Sequence, residues 1–224
     1  MRLLKVNKEH LDFLAANGLE FVSADYIYLR AYHKGEYLFH QGEQINCIYL
    51  LYNGKVNVSV TANNGKTLLL SICKNPTLLG EIEFFTDGLA TTSALAMSRS
   101  LLLITPFAQV RNVEGNERFL SFLGLSLAKK LTRTVQNNTL NILNLADTKV
   151  SSYILLTNVE GRFQANLTKV AELLGISYRH LLRTLETLCK EGILEKDKHT
   201  YVIKDMDGLE ALAQDCYAPM ELWN

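Results

Sequence analysis

The segment Asn166 to Arg183, NLTKVAELLGISYRHLLR, restricts the fold of this chain more than any other. Leu167, Val170, Ala171 and Leu174 recur at helical spacing, and Gly175 then breaks the period. Ile176 follows, Ser177 stands where a helix N-cap belongs, and a second periodic run continues through Leu181, Leu182 and Leu185. Gly175 can take the positive φ of a sharp helix C-terminus, and Ser177 can accept from the free amides of the next helix. Ala171 is small enough to let the two helices cross closely. Two helices joined by such a turn form a helix-turn-helix, whose second helix enters the major groove of DNA N-terminus first. Helix pairs around a glycine also build plain cores, so the polar residues must decide.

Tyr178, Arg179, His180 and Arg183 project from the first two turns of the second helix. Arginine suits bidentate contact with guanine O6 and N7. The run LCKEGILEK then ends the helix at Gly192, and KDKHTYVIK gives two short extended runs around a polar turn, the pattern of a β-hairpin wing. Helix, turn, helix and wing in that order predict a winged helix-turn-helix. Net charge is zero, with nine Lys/Arg against six Asp/Glu from Thr148 to Lys204 and an acidic tail beyond. Phosphate binding then depends on a local face, which Lys169, Arg179, Arg183, Lys190, Lys196 and Lys198 can share, and non-specific affinity is expected to be modest.

The first half of the chain has a different texture. From Tyr26 to Thr105 short apolar-alternating runs are punctuated by Gly35, Gly42, Gly54, Gly65, Gly80 and Gly88. Asn64-Gly65 is a hairpin signal, because both residues tolerate positive φ. Val56, Val58 and Val60 alternate with Asn57, Ser59 and Thr61, which predicts a strand with one buried face. Short strands at regular spacing suggest a jelly roll or sandwich. The N-terminal run MRLLKVNKEHLDFLAANG is interrupted by Lys5, Lys8, Glu9 and Asp12, so it reads as a surface amphipathic helix rather than a signal peptide. No stretch reaches the roughly 18 apolar residues of a membrane span. Four widely spaced cysteines (Cys47, Cys73, Cys189, Cys216) form no CxxC pair, which favours reduced, mostly buried thiols in the cytoplasm.

Beyond Pro106 the pattern turns helical. FAQVRN reads as a short helix, Gly115 as a break, and Asn116 to about Asp147 as one long helix. Leu120, Leu123, Leu127, Leu131, Val135, Asn138 and Ile142 follow a three/four alternation, the seam of a coiled-coil-like helix. A stripe of that length is too long for a small barrel to bury, so it predicts a homodimer. The expected domains are a sensor barrel over 1–115, a dimerisation helix over 116–147 and the winged helix-turn-helix over 148–224.

Barrel, long helix and winged helix-turn-helix together resemble the CRP/FNR superfamily of transcription regulators. Lys34-Gly35-Glu36, Gly42-Glu43, Ile48-Tyr49, Asn53-Gly54-Lys55-Val56 and Leu79-Gly80-Glu81 carry the resemblance in the barrel. Gly175-Ile176-Ser177, Arg183 and Lys190-Glu191-Gly192-Ile193-Leu194 carry it in the second domain. The runs SYRHLL and YVIKD look most similar to the YeiL subgroup. The fold so implied is α+β: an N-terminal β jelly roll of the cyclic-nucleotide-binding kind, the long helix, and the winged helix-turn-helix.

Cyclic-nucleotide-binding members pair a Gly-Glu with an arginine about eleven residues later, the glutamate holding the ribose and the arginine the phosphate. Here Gly80-Glu81 is followed at that distance by Thr91, Thr92 and Ser93, so the arginine is missing. A buried phosphate without a cation is costly, and no response to cyclic AMP is expected. Glu81 is then either a structural turn residue or, with Thr91 and Thr92, part of a pocket for another ligand. The resemblance leaves the cofactor unknown. No cysteine precedes Cys47, where iron–sulfur members carry a cluster, and His33 and His40 have no metal-site spacing. Nor is there a nucleophile–base constellation, so no enzyme is expected. For DNA contact the resemblance implies Ser177, Tyr178, Arg179, His180 and Arg183, with Lys169 nearby. The expected partners are double-stranded DNA with a pseudo-palindromic operator, a second copy of the chain, and RNA polymerase. Two rival readings stand beside this one: a winged helix that binds protein, and a constitutive regulator with a vestigial barrel.

Overall fold

A computed structural model describes residues 2–16, 18–20, 22–111, 117–143 and 146–213 of the chain. Contacts divide it into two compact units, one built from the chain up to Val58 and from Cys73–Thr134, the other from Ser59–Ile72 and the chain from Val135 on.

The barrel opens with β1 (Arg2–Leu4) and α1 (Lys8–Ala16), whose His10 and Leu14 are buried. Eight further strands follow: β2 (Tyr28–Tyr32), β3 (Tyr37–Phe39), β4 (Cys47–Asn53), β5 (Lys55–Thr61), β6 (Thr67–Lys74), β7 (Thr77–Leu79), β8 (Ser93–Ala96) and β9 (Ser100–Pro106). Between β7 and β8 lies the short helix α2 (Glu81–Phe85). One sheet has the order β1-β2-β9-β4-β7 and the other β3-β8-β5-β6. The non-sequential neighbours β2–β9, β4–β9 and β3–β8 are the crossings of a jelly roll, and these pairs are antiparallel. Ile48, Leu50, Leu51, Val56, Leu78, Leu102 and Leu103 fill the interior.

Two local expectations need correction. The β5–β6 turn is a hairpin, but only Gly65 takes positive φ (78°); Asn64 instead accepts a hydrogen bond from the Lys66 amide at 3.1 Å. The hairpin closes between Ala62 and Lys66 around a three-residue loop with one left-handed glycine. On β5, Asn57 and Ser59 are buried while Val58 and Val60 are half-buried, so both faces of the strand are covered.

After β9 come α3 (Phe107–Arg111) and α4 (Glu117–Leu143). The break expected at Gly115 lies outside the described residues. Residues 144–145 lie outside the described residues, and α5 (Ala146–Thr157), which carries Asp147, follows them.

The second unit contains α5, β10 (Arg162–Phe163), α6 (Leu167–Leu173), α7 (Tyr178–Lys190), β11 (Leu194–Asp197), β12 (Thr200–Ile203) and α8 (Met206–Ala213). Its three strands pair in the order β10-β12-β11, so the expected wing gains a third strand. Val170, Ala171, Leu174, Leu181, Leu185, Leu188 and Leu209 are buried in its core with Phe163, whose ring meets those of Tyr153 and Tyr201 at 6.1 and 6.4 Å.

Candidate nucleic-acid interface and sensor site

The helix-turn-helix is built by local caps, of which Gly175 and Ser177 were expected from the sequence and Asn166 was not. Asn166 accepts from the amides of Thr168 and Lys169, which starts α6. Gly175 ends it with φ 65°, and the Ile176 amide reaches back to the Ala171 carbonyl at 3.0 Å. Ser177 then caps α7 by accepting from the His180 amide at 3.1 Å. Its hydroxyl is thus engaged within the turn, which gives Ser177 a structural role before any contact with DNA. Thr184, buried on the inner face of α7, donates to Asp147 Oδ1 at 2.8 Å and ties the helix to α5.

Leu181, Leu185 and Leu188 occupy the inner side of α7, and this sets its outer side. Tyr178, Arg179, His180 and Arg183 are all exposed there, together with Glu186 and Lys190. Lys169 is exposed on α6. Arg179, Arg183, Glu186 and Lys190 follow one another at i, i+4, i+7 and i+11, a single outward stripe. Glu186 interrupts its positive charge and was not singled out from the sequence. In the wing, Lys198 takes a left-handed φ of 53° at the tip, beside His199, and both are exposed. Flanking pairs, Arg162–Asp197 at 3.4 Å and Lys204–Glu195 at 2.5 Å, brace the strands.

The barrel treats its charges differently. Gly80 has φ 88°, and a Cβ there would stand 2.7 Å from the Cys47 carbonyl oxygen, so only glycine fits. Helix α2 starts at once with Glu81, whose side chain is 5% exposed. Its carboxylate pairs with the ammonium of Lys130 from α4, which also donates to the Leu78 carbonyl at 2.7 Å. Removing one member of a buried pair typically costs about 3–5 kcal/mol, because the other charge stays behind unpaired. Two residues on, Glu83 is also buried and accepts from the Thr91 amide at 2.9 Å and the Thr91 hydroxyl at 3.0 Å. Thr91 thus serves Glu83, while Glu81 goes to Lys130; the expected grouping of Glu81 with Thr91 and Thr92 is replaced by these two pairs. Thr92 is half-buried, and Arg99, the nearest later arginine, is exposed. At the far end of α2, Arg111 donates to the Phe84 carbonyl and lies over the Phe84 and Phe107 rings at 5.1 and 5.4 Å.

Helix α4 also divides its predicted stripe. Phe119, Phe122, Leu123 and Ser126 are buried against the barrel, and Lys130 continues that face. Leu123 therefore belongs to the barrel's own core and is not available to a second copy. Leu127 is half-buried; Leu120, Leu125 and Leu131 are exposed, the last by 65%. The side chains of Val135, Asn138 and Ile142 lie outside the described residues. The stripe Phe119, Phe122, Leu123, Ser126, Lys130 was legible as a period, and a lysine on an apolar face was its missed signal.

Cys47 sits on β4 with its thiol donating to Asn46 Oδ1 at 3.2 Å, and burial pushes its pKa up, which lowers the thiolate fraction. Among the described residues, Cys47, Cys73 and Cys189 form no disulfide. Among the described residues no group of three His, Cys, Asp or Glu is placed to hold a metal ion, and no helix is long and apolar enough to cross a membrane.

A jelly-roll barrel, a long connecting helix and a capped helix-turn-helix with an exposed arginine stripe define a transcription regulator with a sensor-type domain. Residues 29–116 match the cyclic nucleotide-binding domain and residues 142–212 the Crp-like helix-turn-helix domain. The chain is 30% identical to the regulatory protein YeiL of Escherichia coli O157:H7 over 199 residues, covering 86% of this chain and 88% of that protein. It is 28% identical over 163 residues to a CRP-like cAMP-activated global transcriptional regulator of Mycobacterium tuberculosis, covering 72% of this chain and 67% of that one. In fold it is similar to a crp/fnr-family regulator of Eubacterium rectale, with a TM-score of 0.72, 15% identity and coverage of 93% and 95%. The chain belongs to the CRP/FNR superfamily of transcription regulators, a family of DNA-binding proteins and not of enzymes.

Proposed function

We propose that this regulator acts as a homodimer on a pseudo-palindromic operator, and that it does so without cyclic AMP. The outward stripe of α7 carries the reading: Tyr178, Arg179, His180 and Arg183 stand exposed at the N-terminal end of a helix whose other side is locked into a core. Arg183 and Arg179 are the base readers, Ser177 orders the turn, and Lys169 with the wing-tip Lys198 meets phosphates. Leu120, Leu125 and Leu131 supply the dimer face of α4, with the small residues Gly124 and Ala128 exposed among them, so that two such helices can approach closely. Two recognition helices roughly 34 Å apart then read successive major grooves. Acting on chromosomal DNA places the protein in the cytoplasm, with RNA polymerase as the partner its output requires.

Indifference to cyclic AMP is supported by the chemistry around α2. At Thr91, where the arginine of cyclic-nucleotide-binding members would stand, the backbone amide and the hydroxyl both face the buried carboxylate of Glu83. A cyclic phosphate there would meet an anion. Enrichment of bound duplexes from a random DNA pool, followed by anisotropy titrations at several salt concentrations with and without cyclic AMP, tests both parts. Enriched inverted repeats, a steep salt dependence and no effect of cyclic AMP are expected. Failure to enrich any sequence would instead favour a protein-binding winged helix.

A further inference from the structure

Lys130 stands out as a charged residue on the buried face of α4. That face runs Phe119, Phe122, Leu123, Ser126, Lys130, and Ser126 Oγ is buried with no hydrogen-bond partner among the described residues. An apolar residue would pack there without the cost of ordering and partly desolvating an ammonium. The ammonium instead crosses 49 residues of sequence to Glu81 and also takes the Leu78 carbonyl, so it grips the chain on both sides of Gly80. Arg111 of α3 holds the other end of α2 through the Phe84 carbonyl. Helix α4 is also the covalent route out of the barrel, since the first compact unit follows it to Thr134 and the second resumes at Val135.

We propose that Lys130 and Glu81 form an internal latch, a contact by which the chain's own ammonium fastens α4 to the barrel. A molecule acting at this point does so by taking Glu81 from Lys130, which calls for a cation such as an organic amine. An anion finds Glu81 and Glu83 both buried beside it on α2.

Hydrogen–deuterium exchange of the full-length protein tests the latch, and because it uses no DNA its outcome is separate from that of the DNA-binding reading. Lys130→Met and Glu81→Gln are each expected to speed exchange over 117–131 by about tenfold or more, while strands β4 and β9 keep their protection. The double variant is expected to exchange no faster than the faster single one, because both changes open the same contact. Lys130→Arg keeps the charge and should stay within about threefold of the parent protein. The latch is overturned if Lys130→Met leaves 117–131 unchanged, if the two single effects multiply, or if Lys130→Arg loses as much protection as Lys130→Met. Loss of protection spread equally over β4 and β9 overturns it as well, since the pair would then be a general stability element.

Discussion

The DNA-binding domain and the barrel use charge in opposite ways. Around α7, the cations of Arg179 and Arg183 stand exposed to water, and the apolar side of the same helix carries the stability. Around α2, each buried carboxylate is matched within the barrel, Glu81 by Lys130 and Glu83 by Thr91. The difference teaches where an outside molecule has room to bind. An exposed cation waits for a polyanion, whereas a buried carboxylate already paired must first be released.

The sharpest way to break this contrast is within α4, where inner and outer faces should respond differently. Leu123→Ala empties a fully buried position and should lower stability by about 2–5 kcal/mol, measured by urea unfolding. Leu125→Ala on the outer face should leave the unfolding midpoint of the monomer nearly unchanged but raise the dimer dissociation constant in sedimentation. Equal effects would mean that α4 has one face and not two. Next in size, Lys130→Met should open residues 117–131 to faster hydrogen–deuterium exchange while β4 and β9 keep their protection, because buried Glu81 loses its half-buried partner. Exposed Lys198→Met should not move the melting temperature measurably.

On the DNA side, Arg183→Ala should weaken operator binding by about 1–3 kcal/mol and relax the preference at one base position, read from a gel-shift series over single-base operator variants. Unchanged affinity would remove α7 as the reader. A smaller loss of stability is expected for Ser177→Ala, about 1 kcal/mol through loss of the cap on α7, seen in thermal unfolding. Glu186→Gln should strengthen binding to any duplex and steepen its salt dependence, because a carboxylate within the basic stripe repels phosphate.

Much of the DNA-binding domain was legible because its signals are short-range. The Ser177 cap, the Gly175 stop and the run Leu181, Leu182, Leu185 all act within a few residues; the first two have the predicted geometry, and in the run Leu181 and Leu185 are buried while Leu182 is half-buried. The third wing strand, Arg162–Phe163, escaped notice because a two-residue strand has no period to read. In the barrel the strands were legible from their glycine punctuation, yet the burial of Asn57 and Ser59 was not. Alternation reports which residues share a face, but not whether that face is covered. The α4 stripe was divided for a related reason. A three/four alternation cannot tell a face packed on the chain's own barrel from one offered to a second copy, and Leu123 went to the first while Leu120 and Leu131 did not.

The sequence alone determined the DNA-binding element, because capping, helical period and turn glycines are decided by neighbours along the chain. It also determined that no arginine stands at Thr91, a matter of residue identity. Only the tertiary structure decided what replaces that arginine. Glu83 meets Thr91 across eight residues, and Lys130 meets Glu81 across forty-nine. A contact of that span depends on how two elements dock, and docking is set by the shape of the whole core, which no local pattern encodes.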